Sequence, residues 1–230
     1  MLMRYLKKFS LFEFEFLNFS RISDILRFRK IDPKILKTFK INLINKPISE
    51  ASPGVIQDPA GSAIGSNEKP SGGGASGAIY QKFPDLEPIP EIKPGESIFN
   101  SSTGLGRKIL HTHSYNFSGL NSKSNRNIET VINKLFETYY NAISKFNERN
   151  PTLEKEDQGI LNLVPVSASI YAGDFRNNEL SHLNPLYTLA GIYIAINKIY
   201  ESQGEIPKIN LYYFDPKVYA AAKIVLENAN

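Results

Sequence analysis

Apolar residues recur at Ile128, Val131, Ile132, Leu135, Tyr139, Ile143 and Phe146. That three-and-four spacing puts them on one face of a helix over 126–148. The run from Ile160 to Val166 is apolar except for one Asn, the pattern of a strand buried on both faces. Residues 182–202 repeat the helical spacing, and Lys108 to His113 and Ile209 to Phe214 read as strands. Asp215-Pro216 joins an N-cap to a proline at the first helical position, opening a last helix through Glu227. An earlier helix runs through Ala78-Ile79-Tyr80-Gln81-Lys82-Phe83. Alternating strands and helices predict an α/β fold, a three-layer α/β/α sandwich with a mixed, largely parallel central sheet. Ligands bind such sheets beyond the carboxyl ends of the strands.

The first half is less regular. Residues 41–44 read as a strand, and 46–71 are rich in Pro, Gly and Ser, with short extended pieces at 54–57 and 62–64. Residues 84–107 are Pro-rich and irregular, which predicts a functional or covering loop. Phe12, Phe14 and Phe16 alternate as in a half-buried strand over 9–19, and 21–40 predict a short helix broken at Asp32-Pro33. The chain thus divides into a basic, aromatic extension (1–40) and a main domain (41–230).

Charge sharpens that division. Residues 1–46 carry 11 Lys/Arg against 4 Asp/Glu, while the remaining 184 carry 16 against 19. The basic segment suits an acidic partner, although a solvated basic helix face is the more ordinary reading. Nucleic acid is disfavoured, since no aromatic–basic recognition motif appears. No run approaches the ~20 apolar residues of a membrane span. Glu13 and Glu15 interrupt the apolar start and no small-residue cleavage site follows, so a signal peptide is not predicted. The expected location is the cytoplasm, or a host cytosol reached without a signal peptide. The Lys-, Asn- and Ile-rich composition fits an intracellular bacterium or its effector. Cysteine is absent, which excludes disulfides, thiolate metal sites and Cys nucleophiles.

The chemistry concentrates in two loops. Gly72, Gly73, Gly74, Ala75, Ser76 and Gly77 run straight into a helix, so unshielded N–H groups gather at its positive end, a cradle for phosphate oxygens. The second loop, Ser167, Ala168, Ser169, Ile170, Tyr171, Ala172 and Gly173, follows the buried strand and sets one aromatic among small residues. Two such loops after neighbouring strands can clasp a diphosphate. Gly72, Gly74 and Gly77 also satisfy G-x-G-x-x-G, but neither the preceding hydrophobic strand nor an acidic residue about 20 positions on is evident. A Rossmann-like oxidoreductase is therefore a disfavoured alternative. P-loop and G-x-S-x-G patterns are absent. His111 and His113 share a strand face and could join His182 in a three-His metal site. Nothing in the sequence places His182 nearby, so core or rim roles are expected and no metal is predicted.

Taken together, these segments resemble the macro domain, an ADP-ribose-binding α/β/α module. Gly77-Ala78-Ile79-Tyr80-Gln81-Lys82-Phe83-Pro84 is similar to its first diphosphate loop and helix, most like the viral members. Ile109-Leu110-His111-Thr112 resembles the family's Val-Ile-His-Thr strand, and Tyr115-Asn116-Phe117-Ser118 the segment after it. Val164 to Gly173 resembles the second loop, and the likeness covers about residues 41–228. The family's Asn-Ala-Ala-Asn strand end aligns in two ways. Either Ala63-Ile64-Gly65-Ser66-Asn67 carries it and keeps Asn67, or Val55 to Ala60 carries it, 61–71 is an insertion, and the polar group becomes Gln57 or Asp58. Ser76 replaces the Asp of many cellular hydrolases, Ser169 replaces the second-loop Gly, and Asn45-Lys46-Pro47 stands near the place of the adenine-binding Asp. The resemblance implies binding of ADP-ribose, free or on modified protein, with no cofactor. The amides of 72–77 and 167–173 would hold the diphosphate, and Asn67 and Tyr171 the distal ribose. Hydrolytic removal of mono-ADP-ribose would use a water held by Asn67 or Asp58, and the alternative is a non-catalytic reader.

Overall fold

A computed structural model describes residues 20–61, 64–69, 74–99, 108–177 and 182–229. The strand expected at 9–19, and Gly72 and Gly73, lie outside them. Among the described residues, six strands form the main sheet: β1 (Asn42–Ile44), β2 (Val55–Asp58), β3 (Ser97–Phe99), β4 (Ile109–Thr112), β5 (Ile160–Leu163) and β8 (Lys208–Tyr212). Their order is β1-β8-β5-β2-β4-β3, parallel throughout except for the edge strand β3. β2 sits at the centre, with Val55 opposite Leu161 on one side and Asp58 opposite His111 on the other. Two short strands, β6 (Arg176–Asn177) and β7 (His182–Leu183), pair apart from this sheet.

Alternation along the strands divides two cores. Val55, Leu110, Leu161 and Leu211 face α4 (Asn125–Arg149), α5 (Pro185–Gln203) and α6 (Pro216–Glu227). Ile56, Ile109, Val164 and Tyr212 face α3 (Gly74–Lys82), the 3-10 turn Ile48–Glu50, and Leu86 and Ile89 of the Pro-rich segment. Helices on both faces of a largely parallel sheet make the three-layer α/β/α sandwich. α5 is buried almost all round, and α4 packs its Ile128-to-Phe146 stripe against it. The basic extension adds α1 (Ile22–Phe28) and α2 (Ile35–Thr38), whose Ile22, Ile25, Leu26 and Ile35 join the larger core.

Three expectations are corrected. Residues 84–107 are not irregular throughout, since they contain β3, a three-residue edge strand too short to show a pattern. Of the strand end aligned at 63–67, the described part is not extended: 64–69 are turns and bends, tied down by Gly65 N–H to the Ile89 carbonyl (3.0 Å) and Lys69 Nζ to the Pro84 carbonyl (2.6 Å). The central strand is instead Val55–Asp58, buried at all four positions and paired on both edges. The helix expected from 182 starts at Pro185, where the Asn184 side chain accepts from Leu186 N–H (3.0 Å).

Candidate functional site

The connections leaving β2 and β5 depart to opposite faces, the first through α3 and the second through α5. Neighbouring strands that diverge this way open a crevice beyond their carboxyl ends. Loops from three strands meet there and are stitched by backbone. Ser114 N–H donates to the Ala60 carbonyl (3.0 Å) and Phe117 N–H to the Tyr171 carbonyl (2.7 Å). Ser167 Oγ donates to the Tyr115 carbonyl (2.6 Å), with Ser167 itself at φ 54°. Behind the loop, the fully buried Tyr139 hydroxyl donates to the Val164 carbonyl (3.0 Å) and accepts from Val166 N–H (3.1 Å).

Two glycines set how closely these loops approach. Gly173 has φ 54°, and a Cβ there would stand 2.6 Å from the Phe117 carbonyl oxygen. At Gly61, just past β2, a Cβ would meet the Tyr171 hydroxyl at 2.8 Å and its ring at 2.9 Å. Tyr171 therefore fills the space that a side chain at 61 would take. It lies in the 3-10 turn Ile170–Phe175, half-buried, on the second loop. Ser167, Ala168 and Ala172 are buried, Gly173 is half-buried and Ser169 is exposed.

Gly74, Ala75, Ser76 and Gly77 form the first turn of the nine-residue α3. N–H groups of a first turn lack intrahelical partners and sit at the positive end of the helix dipole. Among the described residues, the shielded Ser76 Oγ and Ser114 Oγ have no hydrogen-bond partner. Asn67 is exposed on the 64–69 turn, not at a strand end. Asp58 ends β2 and is fully buried, so the second strand alignment is the one the fold adopts.

Sequence reasoning missed what Asp58 does. Its Oδ2 lies 2.7 Å from His111 Nδ1, both side chains being fully buried. The Tyr80 ring of α3 stacks on His111 with centroids 6.1 Å apart, and burial together with the Asp58 charge pushes its phenol pKa up. The available signal was two polar residues facing one way on neighbouring apolar strands, but pairing them needs the register. Gln57 faces oppositely, accepting from Val164 N–H and donating to Thr112 (both 3.2 Å). Phe214, read from the sequence only as the end of a strand, lies just past β8 and is 79% exposed at the carboxyl end of the sheet. Asn45, near the place of the adenine-binding Asp, donates its amide to the Tyr213 and Phe214 carbonyls (2.8 and 3.3 Å).

The histidines do not gather. His113 Nδ1 lies 2.8 Å from the Ile92 carbonyl, and His182 is in β7. Among the described residues, the one group of three candidate metal ligands is Glu154, Glu156 and Asp157, and it surrounds Lys108 Nζ at 2.7–3.8 Å.

No family model matches the sequence, and no curated protein matches it either. Solved structures do. A Trypanosoma brucei macrodomain in complex with ADP superposes with TM-score 0.54 at 15% identity, over 85% of this chain and 72% of that one. An Oceanobacillus iheyensis macrodomain mutant gives 0.52 at 17% identity, over 82% and 93%. This chain has the macrodomain fold. An alphavirus P23pro-zbd chain gives 0.57 at 16% identity over 82% of this chain, which spans only 24% of that longer one. The strand order here differs from the 3-2-1-4-5-6 of the classic dinucleotide-binding sheet.

Proposed function

We propose that this chain binds ADP-ribose, free or attached to protein, in the crevice beyond β2 and β5. The observation that supports the reading is topological: α3 follows β2 and the small-residue loop 167–173 follows the neighbouring parallel β5, so two anion-binding stretches of backbone come after the carboxyl ends of adjacent strands. The amides of 72–77 and 167–173 would take the diphosphate, Tyr171 would pack on the distal ribose, and the bare ring of Phe214 offers the adenine a stacking face.

Recognition without cleavage is favoured by three features. Gly61 brings no side chain to the distal ribose, Tyr171 closes the space above it, and the Asp58 carboxylate is turned under α3 toward His111. The second reading is hydrolysis of mono-ADP-ribose from protein. A water held by a substrate phosphate would add to the anomeric carbon as the bond to the side-chain oxygen breaks, and the water's proton would pass to the phosphate or solvent. That route needs positioning more than a strong protein base.

Calorimetry with ADP-ribose, run beside a de-modification assay on ADP-ribosylated protein, separates the readings. Binding without turnover selects the reader, and turnover selects the hydrolase. No heat at millimolar ADP-ribose would refute both.

A further inference from the structure

The end of the sheet remote from the crevice carries its own surface. The strap 31–41 leaves α1, crosses α5 as α2 and enters β1, with a furrow on either side of it. One furrow, of about 210 Å³, is lined by Leu36, Ile41, Tyr193 and Leu226 with Lys37 and Lys40. The other, of about 190 Å³, is lined by Phe39, Ile196, Ile206 and Pro207 with Lys40 and Lys208. Leu36, Phe39, Ile206 and Leu226 are partly buried and anchored on the main core, so their open sides form firm apolar walls. Tyr200, 51% exposed, packs edge-on against Phe39 at 5.0 Å and extends the apolar rim.

The charged side chains that line the two furrows are of one sign. Lys37, Lys40 and Lys208 are exposed, and none of them forms an ion pair among the described residues. Neither furrow has an Asp or Glu in its lining. Residues 27–40 hold six Lys/Arg against the single Asp32. Apolar slots ringed by unpaired ammonium groups complement a segment whose apolar side chains are interleaved with carboxylates.

We propose that the two furrows, joined at Lys40, form one docking surface for an acidic amphipathic segment of a partner protein. The concave shape favours a peptide over a lipid surface, since separate slots accept side-chain knobs whereas a bilayer is met by a planar or protruding apolar face. A second copy of the chain is disfavoured, because an isologous contact would set the same lysines against each other. Lys208 opens β8 and Phe214 follows its far end, so the five-residue strand separates docking surface from crevice by about 15 Å. A docked partner leaves the crevice open, so the surface can bring the crevice to its target. This inference does not rest on what the crevice binds.

The test uses the full chain and a fluorescent peptide of about 16 residues with Leu and Glu at helical spacing. Controls carry Lys for every Glu, or Ser for every Leu. Anisotropy should show saturable binding of the Leu/Glu peptide alone, weakening as salt rises from about 0.05 to about 0.5 M. The exposed double substitution Lys37→Glu/Lys40→Glu should weaken it about tenfold or more, and Lys40→Gln less, in the same direction. ADP-ribose affinity should not change in either variant. Equal binding of all three peptides, or affinity indifferent to the lysine substitutions, overturns the proposal. So does lysine-dependent binding to phosphatidylserine vesicles, or lysine-dependent self-association, in the absence of peptide binding.

Discussion

At the scale of single residues, the consequential positions are those where chemistry and packing disagree. Asp58 and His111 satisfy each other through one atom apiece, while Asp58 Oδ1 and His111 Nε2 are buried without partners among the described residues. Removing either group strands the other, so Asp58→Leu and His111→Leu should each cost about 1–3 kcal/mol. The double variant should recover part of that loss, because an apolar pair leaves no polar atom behind. Denaturant titrations of the four proteins measure it, and additive losses would mean that the pair is not coupled. Phe214 poses the opposite case, an aromatic ring that packing does not use. Phe214→Ala should leave stability nearly unchanged while weakening ADP-ribose by about 1–3 kcal/mol, the worth of one base-stacking platform. Calorimetry on the variant reads it, and unaltered affinity would remove Phe214 from the site. Burial holds the His182 imidazole below its ordinary 6.5, against the opposing pull of the Leu183 carbonyl and Asp215. Folded His182 therefore stays neutral where the unfolded side chain takes up a proton, and stability falls as the pH drops below 6.5. His182→Gln should flatten that acid slope in urea midpoints measured across the range.

At the scale of elements, the long helices were legible because they repeat their signal. Seven spaced apolar residues announce α4, and the buried ones lie on the side that meets α5. The short strands were legible where runs of aliphatics continued, as in β5, and illegible where three residues had to speak for a strand, as in β3. The strand end before the glycines was misplaced on one alignment because 63–67 imitate its composition. What decides is pairing on both edges, which composition does not encode. Gly191 shows another silent constraint. It sits mid-helix in α5, where glycine is ordinarily unfavourable, because a Cβ there would stand 2.8 Å from Leu135 Cβ and 3.1 Å from its carbonyl carbon. Gly191→Val should therefore force the two helices apart and cost about 1–3 kcal/mol despite the gain in backbone rigidity. A lowered midpoint in thermal or urea unfolding is the expected result. An unchanged midpoint would mean that the helix pair yields freely.

At the scale of the whole molecule, the crevice is a property of the topology. The sequence suggested two small-residue loops, and their meeting follows from β5 lying beside β2, a neighbour separated by more than 100 residues. The touch of Tyr171 on Gly61 was not legible for the same reason. If the crevice is the ADP-ribose site, ligand at one hundred times its Kd should stabilise the fold by about 2.7 kcal/mol, or about 5–10 °C in Tm. Scanning fluorimetry checks this, with NADH expected to give a smaller shift. The position of β8 carries a consequence for the order of assembly. It is the last of the described strands, yet it lies between β1 and β5, with Asn42, Asn210 and Asn162 side chains linked across the three. Until about residue 212 has left the ribosome, the place between β1 and β5 is empty and β1 has no neighbour. Synthesis of the first 200 residues therefore yields a sheet that cannot close. Emergence of β8 fills that gap and, in the same step, sets the exposed Phe214 ring beyond the carboxyl end of the sheet.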